Sequence, residues 1–295
     1  MKIKHVAMAA ALLAAAPAFA DLAGGLTQTP ANKDNPELFL AVYDKTGTIS
    51  YSLDLGMRIG AGTQSAPLGG FLSASQSEAG FSQSWSVGDA NFNSFLSQAN
   101  AANLRWEVMA FDTSGTAAKD QTRLFTTIKN GTIGNVTSTS NIQFTTSATA
   151  YGTFVDRVNA NPNRTAAETG TRVYDGFDGS AVSGINDKYY LLGPGNVGNN
   201  GAGQWQGWTA DNAVGDSSVF AYITRSGTQS AGKLGAASVF QNSLHQGAFQ
   251  FAANAQGEYA LTYTLAPVPE PESYALLMAG LLALGFVIRR RREDR

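Results

Sequence analysis

The stretch LRWEVMAFD, residues 104 to 112, decides the class of fold, because apolar side chains alternate along it. Leu104, Trp106, Val108 and Ala110 occupy every second position. In an extended chain, residues two apart lie on the same face, so these four side chains share one side of a strand. The pattern predicts a half-buried β-strand whose apolar side faces a core.

Similar alternation on either side of this stretch predicts further strands. Residues 37–44 and 48–56 alternate and are separated by KTG, a short hairpin connection. Residues 122–131 and 217–227 alternate as well, and residues 247–265 are typical of a hairpin that turns at NAQG. Closely spaced strands with turn residues between them predict an all-β fold, a β-sandwich or Greek-key-like arrangement, for a single domain over residues 21–266.

Two short helices are expected within this β-rich chain. In residues 89–103, apolar side chains recur at the i, i+3, i+4, i+7 spacing of a helix face, with Asp89 or Asn91 as the N-cap. A second helix is expected from Thr153 toward Asn161, ended by Pro162. Residues 130–155 carry no charged side chain and are rich in Thr and Ser. We interpret them as interior strands with a polar loop, or alternatively as a strand that drives self-association.

The composition of residues 21–266 excludes several classes of function. This span has 13 lysines and arginines against 18 aspartates and glutamates, a net charge of −5. Proteins that bind nucleic acid concentrate basic residues on one face, so no nucleic-acid partner is expected. The chain has no cysteine, which excludes disulfides, thiolate metal sites and thiol catalysis.

Candidate catalytic and metal-binding residues are few, and we expect no enzyme activity, cofactor or metal. His245 is the one histidine after residue 20, and no G-x-S-x-G motif supplies a nucleophile. Asp175, Asp178 and Asp187 lie among glycines, but their spacing is not that of an EF-hand. A pair of carboxylates could still serve a polysaccharide hydrolase, which remains an alternative.

Trp205 and Trp208 lie in the stretch GPGNVGNNGAGQWQGWTADN, residues 193–212, where they follow a run rich in Gly and Asn. Flat aromatic faces beside amide side chains are typical of sugar-binding surfaces. The alternative is that both indoles fill the core beneath a long loop. These two tryptophans are therefore candidate ligand-binding residues of a carbohydrate-binding module.

The first 20 residues have the layout of a secretory signal peptide. Lys2 and Lys4 precede an apolar run from Val6 to Ala16. Ala18 and Ala20 supply the small side chains that signal peptidase requires, so cleavage is predicted after Ala20.

The segment 267–295 has a different layout. Val268, Pro269, Glu270 and Pro271 precede 15 mostly apolar or small residues, 274–288, and then Arg289, Arg290, Arg291 and Arg292. As a helix, this run spans about 22 Å, against a bilayer core of about 30 Å. It is therefore expected to be a short transmembrane helix that holds the chain only transiently at the inner membrane, with the arginines on the cytoplasmic side.

This order of Pro-Glu-Pro, apolar run and arginine cluster resembles the PEP-CTERM sorting signal of exported proteins in Gram-negative bacteria. The resemblance implies processing by a membrane enzyme, an exosortase, and release to the cell surface or the extracellular matrix. It further implies a structural or adhesive role in exopolysaccharide or biofilm, with extracellular polysaccharide as a partner.

Overall fold

The computed structural model describes residues 36–45, 49–58, 82–112, 123–138, 140–161, 179–184, 209, 211–224, 236–240, 245–267 and 278–282. Eleven strands in these ranges form one sheet: β1 (Glu37–Asp44), β2 (Ile49–Arg58), β3 (Ser82–Val87), β4 (Leu104–Asp112), β5 (Arg123–Ile128), β6 (Gly179–Gly184), β7 (Asn212–Ala213), β8 (Ser217–Thr224), β9 (Ala236–Val239), β10 (His245–Ala253) and β11 (Tyr259–Pro267). The helices are α1 (Ala90–Gln98), α2 (Ile133–Thr137) and α3 (Asn141–Asn159), with a 3-10 turn at Ala101–Asn103.

These strands confirm the predicted all-β class. The strands predicted at 37–44, 48–56, 104–112, 122–131 and 217–227 correspond to β1, β2, β4, β5 and β8, with ends that differ by up to a few residues. The predicted terminal hairpin is formed by β10 and β11, which pair antiparallel around the turn that contains Gly257 at φ 82°. The sequence patterns did not predict β3, β6, β7 and β9.

Neighbouring strands follow the order β3-β11-β10-β8-β5-β4-β1-β2-β6, with β7 beside β4 and β9 beside β8. The sheet curves until its two ends approach each other. Trp85 of β3 donates its indole N–H to the carbonyl of Leu55 in β2, at 3.3 Å. A sandwich divides its strands between two sheets, so this single, nearly closed sheet fits the predicted sandwich only loosely.

The concave side of the sheet encloses the inner core, a cluster of buried side chains from β1 to β5, β8, β10, β11 and α1. Leu104, Trp106, Val108 and Ala110 all belong to it, which confirms the face predicted for LRWEVMAFD. Strand β1 is buried along its whole length, because its other face is covered as well.

Helix α1 covers the side of the inner core where the sheet does not close. Asp89 caps it, since one carboxylate oxygen accepts the backbone N–H of Phe92 at 2.8 Å and the other accepts the Tyr51 hydroxyl at 2.9 Å. The ring of Phe92 packs 5.0 Å from that of Tyr51 in β2 and 5.2 Å from that of Tyr259 in β11. The predicted helix and its Asp89 cap are confirmed.

Helices α2 and α3 cover the convex side of β1, β4, β5 and β8. Between them lies the outer core: Phe39, Ala41, Met109, Leu124, Ile128, Val136, Phe144, Tyr151, Phe154, Val155, Val158, Ala221 and Ile223. The interpretation of residues 130–155 as strands is wrong, because α2 and most of α3 occupy them. The second predicted helix exists, but it begins at Asn141 rather than Thr153.

Residues 278–282, inside the predicted helix 274–288, are helical, with Met278, Leu281 and Leu282 exposed. The rest of that predicted helix lies outside the described residues. Within the described part of the chain, no helix combines the length and the apolarity that crossing a membrane requires.

Candidate functional site

Most residues predicted to be functional fall outside the described ranges. These are Ala18, Ala20, Asp175, Asp178, Asp187, Trp205, Trp208, the Val268–Pro271 segment and the Arg289–Arg292 cluster. His245 begins β10, where its backbone pairs with Pro267 of β11. Among the described residues, no three His, Cys, Asp or Glu side chains come together in a group that could hold a metal ion.

The chain that directly follows Trp208 is bound firmly to the sheet. The carbonyl of Thr209 accepts hydrogen bonds from the Thr127 hydroxyl at 3.1 Å and from the Asn212 amide at 3.0 Å. The same Asn212 amide donates to the carbonyl of Trp106 at 2.9 Å. Thr209 and Asn212 are buried. These bonds set the position of Asp211, which lies between them in sequence.

Three cations converge on Asp211 from three different elements. Lys45, after β1, and Arg105, in β4, lie 3.1 and 3.0 Å from carboxylate oxygen Oδ1, and Lys129, after β5, lies 3.0 Å from Oδ2. We call these four residues the Asp211 cluster. The side chains of Lys45 and Lys129 are 55% and 40% exposed. Within the described residues, one carboxylate faces three cations, so two positive charges of the cluster have no counter-charge in it.

The Asp211 carboxylate remains ionised over a wide pH range. Partial burial by itself would raise its pKa, but the hydrogen bonds and charges of Lys129 and Lys45 outweigh that effect and hold the pKa below its ordinary value. The cluster therefore keeps its charge pattern at neutral and mildly acidic pH.

An open cavity of about 210 Å³ adjoins the cluster, which we call the polar cavity. It is lined by Lys129, Asn130, Asn212, Asp216 and Ser217. Asn130 donates an amide N–H to the carbonyl of Ser217 at 2.9 Å, so the two sides of the cavity are linked. The lining combines ammonium, amide, hydroxyl and carboxylate groups, which together can donate to and accept from the hydroxyls of a small polar ligand.

Glu107 is the other unusual polar residue near this site. It follows Arg105 by two positions on β4 and pairs with Ala41 on the convex face of the sheet. It has no exposed surface, and neither carboxyl oxygen has a hydrogen-bond partner among the described groups. Burial raises the pKa of the Glu107 carboxyl well above its ordinary value. Burial without a partner disfavours the charged form of a carboxyl, so this environment favours the protonated form.

Tyr151 of α3 is bonded to the segment that follows Trp208. Its hydroxyl shares a hydrogen bond of 3.3 Å with the hydroxyl of Thr209. Burial, and after it the charge of Glu107, raises the pKa of the Tyr151 phenol, although the bond to Thr209 acts in the opposite direction. This buried hydrogen bond thus links α3 to the anchored segment.

Sequence reasoning missed the Asp211 cluster and the polar cavity. The one usable signal was that the predicted loop 193–212 ends in Asp211 and Asn212 directly after the two tryptophans. The partners of Asp211 lie 166, 106 and 82 positions away in sequence, so no local spacing could identify them.

Comparison with known proteins adds one match. Residues 267–292 match the PEP-CTERM protein-sorting motif. No curated protein and no solved structure matches the chain significantly. The described fold defines an all-β protein with a nearly closed sheet, and the motif implies export and sorting by an exosortase, a membrane processing enzyme.

Proposed function

We propose that the chain is a non-enzymatic protein of the cell surface or extracellular matrix, with a structural or adhesive role among exopolysaccharides. In this proposal, it contacts polysaccharide through the Asp211 cluster and the polar cavity. The sorting motif supports a destination outside the cell. A signal peptidase would remove residues 1–20, and the inner membrane would hold the chain only during processing.

One observation carries the polysaccharide contact. The polar cavity places amide, hydroxyl, carboxylate and ammonium groups in one open depression, which suits a ligand with many hydroxyls. Trp208 directly precedes the anchored Thr209 in the chain, which keeps the predicted sugar-contacting tryptophans close in sequence to this cavity.

Two acidic residues at or near the site, Asp211 and Glu107, do not suit the proton donor of a hydrolase, which favours a non-enzymatic role over that alternative. A glycosidase needs one carboxyl that donates a proton to the leaving group. Hydrogen bonds from lysines lower the pKa of Asp211, which makes it a poor proton donor near neutral pH. Burial raises the pKa of Glu107, but this carboxyl is fully buried and therefore cannot reach a substrate in the folded state.

A glycan array probed with the mature protein tests the polysaccharide contact. We expect binding to at least one polysaccharide class, and a loss of about tenfold when Asn130→Ala and Asp216→Ala remove two lining side chains. Ser97→Ala with Gln98→Ala, two exposed changes on α1, should leave binding unchanged. An array without binding would contradict the contact, and release of new reducing ends from a bound polysaccharide would contradict the non-enzymatic role.

A further inference from the structure

The charge of the Asp211 cluster contrasts with that of the rest of the protein. Residues 21–266 carry a net charge of −5, yet three cations meet here at one carboxylate. The preceding segment is already anchored by the hydrogen bonds of Thr209 and Asn212. Two of the three cations exceed the single negative charge of Asp211. The anchoring of that segment does not explain why they are there.

The two lysines are placed to bind an anion from solvent. Lys45 and Lys129 approach different oxygens of Asp211, and both side chains are substantially exposed. An ammonium group has three N–H donors, and Asp211 is the one described acceptor of each. Each lysine therefore has donors left that can bond a second carboxylate. Arg105, whose side chain is 20% exposed, adds a third positive charge beside Asp211.

The polar cavity shares Lys129 with the Asp211 cluster and adds a different chemistry. Asn130, Asn212 and Ser217 are neutral, and Asp216 is an acceptor that suits hydroxyl groups but repels anions. A ligand that binds both the Asp211 cluster and the polar cavity carries an acidic group toward Lys45 and Lys129. Its hydroxyls face Asp216 and Asn130. A simple anion lacks the hydroxyls, and a neutral sugar lacks the acidic group.

We infer that the Asp211 cluster and the polar cavity form a binding site for an acidic polysaccharide of the uronic-acid type, with the sugar carboxylate on Lys45 and Lys129. This inference rests on the proposed function and narrows the class of polysaccharide. The lysines act as compact positive charges, so binding weakens as salt screens them.

The test measures binding of the mature protein to three probes: oligogalacturonate, which has carboxylates and hydroxyls; dextran, which has hydroxyls alone; and polyglutamate, which has carboxylates alone. We expect the tightest binding to oligogalacturonate, with weaker binding in 0.5 M salt. Lys45→Ala and Lys129→Ala should each weaken it about tenfold. Lys129→Arg should retain binding because it keeps the positive charge. Arg157→Ala, which removes an exposed cation from α3, should have no effect.

Each outcome decides one claim. Loss of oligogalacturonate binding in the two lysine variants, with thermal unfolding unchanged, supports the acidic site. If dextran binds as tightly as oligogalacturonate and the two lysine substitutions do not change binding, the acidic site is overturned. The proposed polysaccharide contact would then still stand. Tighter binding to polyglutamate would overturn it in favour of an acidic peptide partner. Binding to none of the probes, on an array that is likewise blank, would overturn both claims.

Discussion

At the scale of single residues, Glu107 should make the free energy of unfolding depend on pH. Burial raises the pKa of this carboxyl in the folded chain, whereas in the unfolded chain it ionises near pH ~4.3. As pH rises above that value, the unfolded state loses the proton first and is stabilised. The contribution of Glu107 to the free energy of unfolding should therefore be most favourable below the unfolded pKa. It should then fall by up to about 1.4 kcal/mol per pH unit until the folded pKa is reached.

Glu107→Gln should remove this contribution to the slope. Urea unfolding from pH 4 to pH 8 should show wild-type stability falling more steeply with pH than that of the variant. The comparison uses the slopes of stability against pH and not the absolute stabilities, because the introduced amide is also buried without a hydrogen-bond partner. Glu258→Gln, at an exposed position, is the matched control and should keep the wild-type slope. Parallel curves for wild type and Glu107→Gln would show that Glu107 is not held as the neutral acid.

Gly247 allows β10 to lie close to the ring of Tyr263. A Cβ atom at this position would overlap the Tyr263 hydroxyl and lie 2.8 Å from Cζ of the ring. Tyr263 is fully buried in the inner core, so its ring has little room to move. We expect Gly247→Ala to lower the free energy of unfolding by about 1–3 kcal/mol, as measured by urea unfolding.

Gly134 provides the control for Gly247. It lies in α2, and a Cβ atom there would meet nothing within 4 Å. Gly134→Ala should therefore be neutral or stabilise the chain by up to about 1 kcal/mol, because alanine favours a helix more than glycine does. Equal effects of the two substitutions would contradict the steric explanation.

At the scale of elements, Asp89 joins α1 to the sheet through two bonds of one carboxylate. Asp89→Ala removes the cap of the helix and the acceptor of the Tyr51 hydroxyl. We expect a loss of about 1–2 kcal/mol. Asp89→Asn keeps one side-chain oxygen as a cap and should lose less. If both variants unfold at the same urea concentration as the wild type, α1 does not depend on this cap.

The elements also show which parts of the fold the sequence could predict. Strands β1 and β4 were predictable because an apolar side chain recurs at every second position of each, which is the period of a β-strand. The position of α3 was missed because Thr, Tyr and Phe favour strands when judged locally. The signal for a helix was present in the spacing of Phe144, Tyr151, Phe154, Val155 and Val158, which all contact the outer core. Packing on the sheet outweighs the local preference.

At the scale of the whole molecule, closure of the sheet and assembly of the Asp211 cluster could not be predicted. Both depend on contacts between distant parts of the chain, such as the bond from Trp85 to Leu55 and the three cations at Asp211. The Asp89 cap could be predicted, because its partner Phe92 is three residues away. Local physics identifies caps and strand faces, whereas the candidate site requires the completed fold.

The sorting motif begins where the last strand ends. Pro267 is both the final residue of β11 and the first residue of the matched segment. Only Val268 lies between it and the Pro269-Glu270-Pro271 triplet. At its end, strand β11 pairs with β10, where Pro267 lies opposite His245, so the sheet holds this end. If the processing enzyme acts at the triplet, the folded body must lie close to that enzyme.

This proximity leads to a prediction about processing. Replacement of Pro269, Glu270 and Pro271 by alanine should leave a full-length form at the inner membrane, because the apolar run and the arginines remain. The wild-type mature protein from the native host should lack Arg289–Arg295, with its new end close to the triplet. A plain tail anchor depends only on apolarity and positive charge, so it should show no difference between the two forms. Intact-mass measurement of both proteins decides between these cases. Wild-type protein that keeps its arginines and stays at the inner membrane would contradict processing at the triplet.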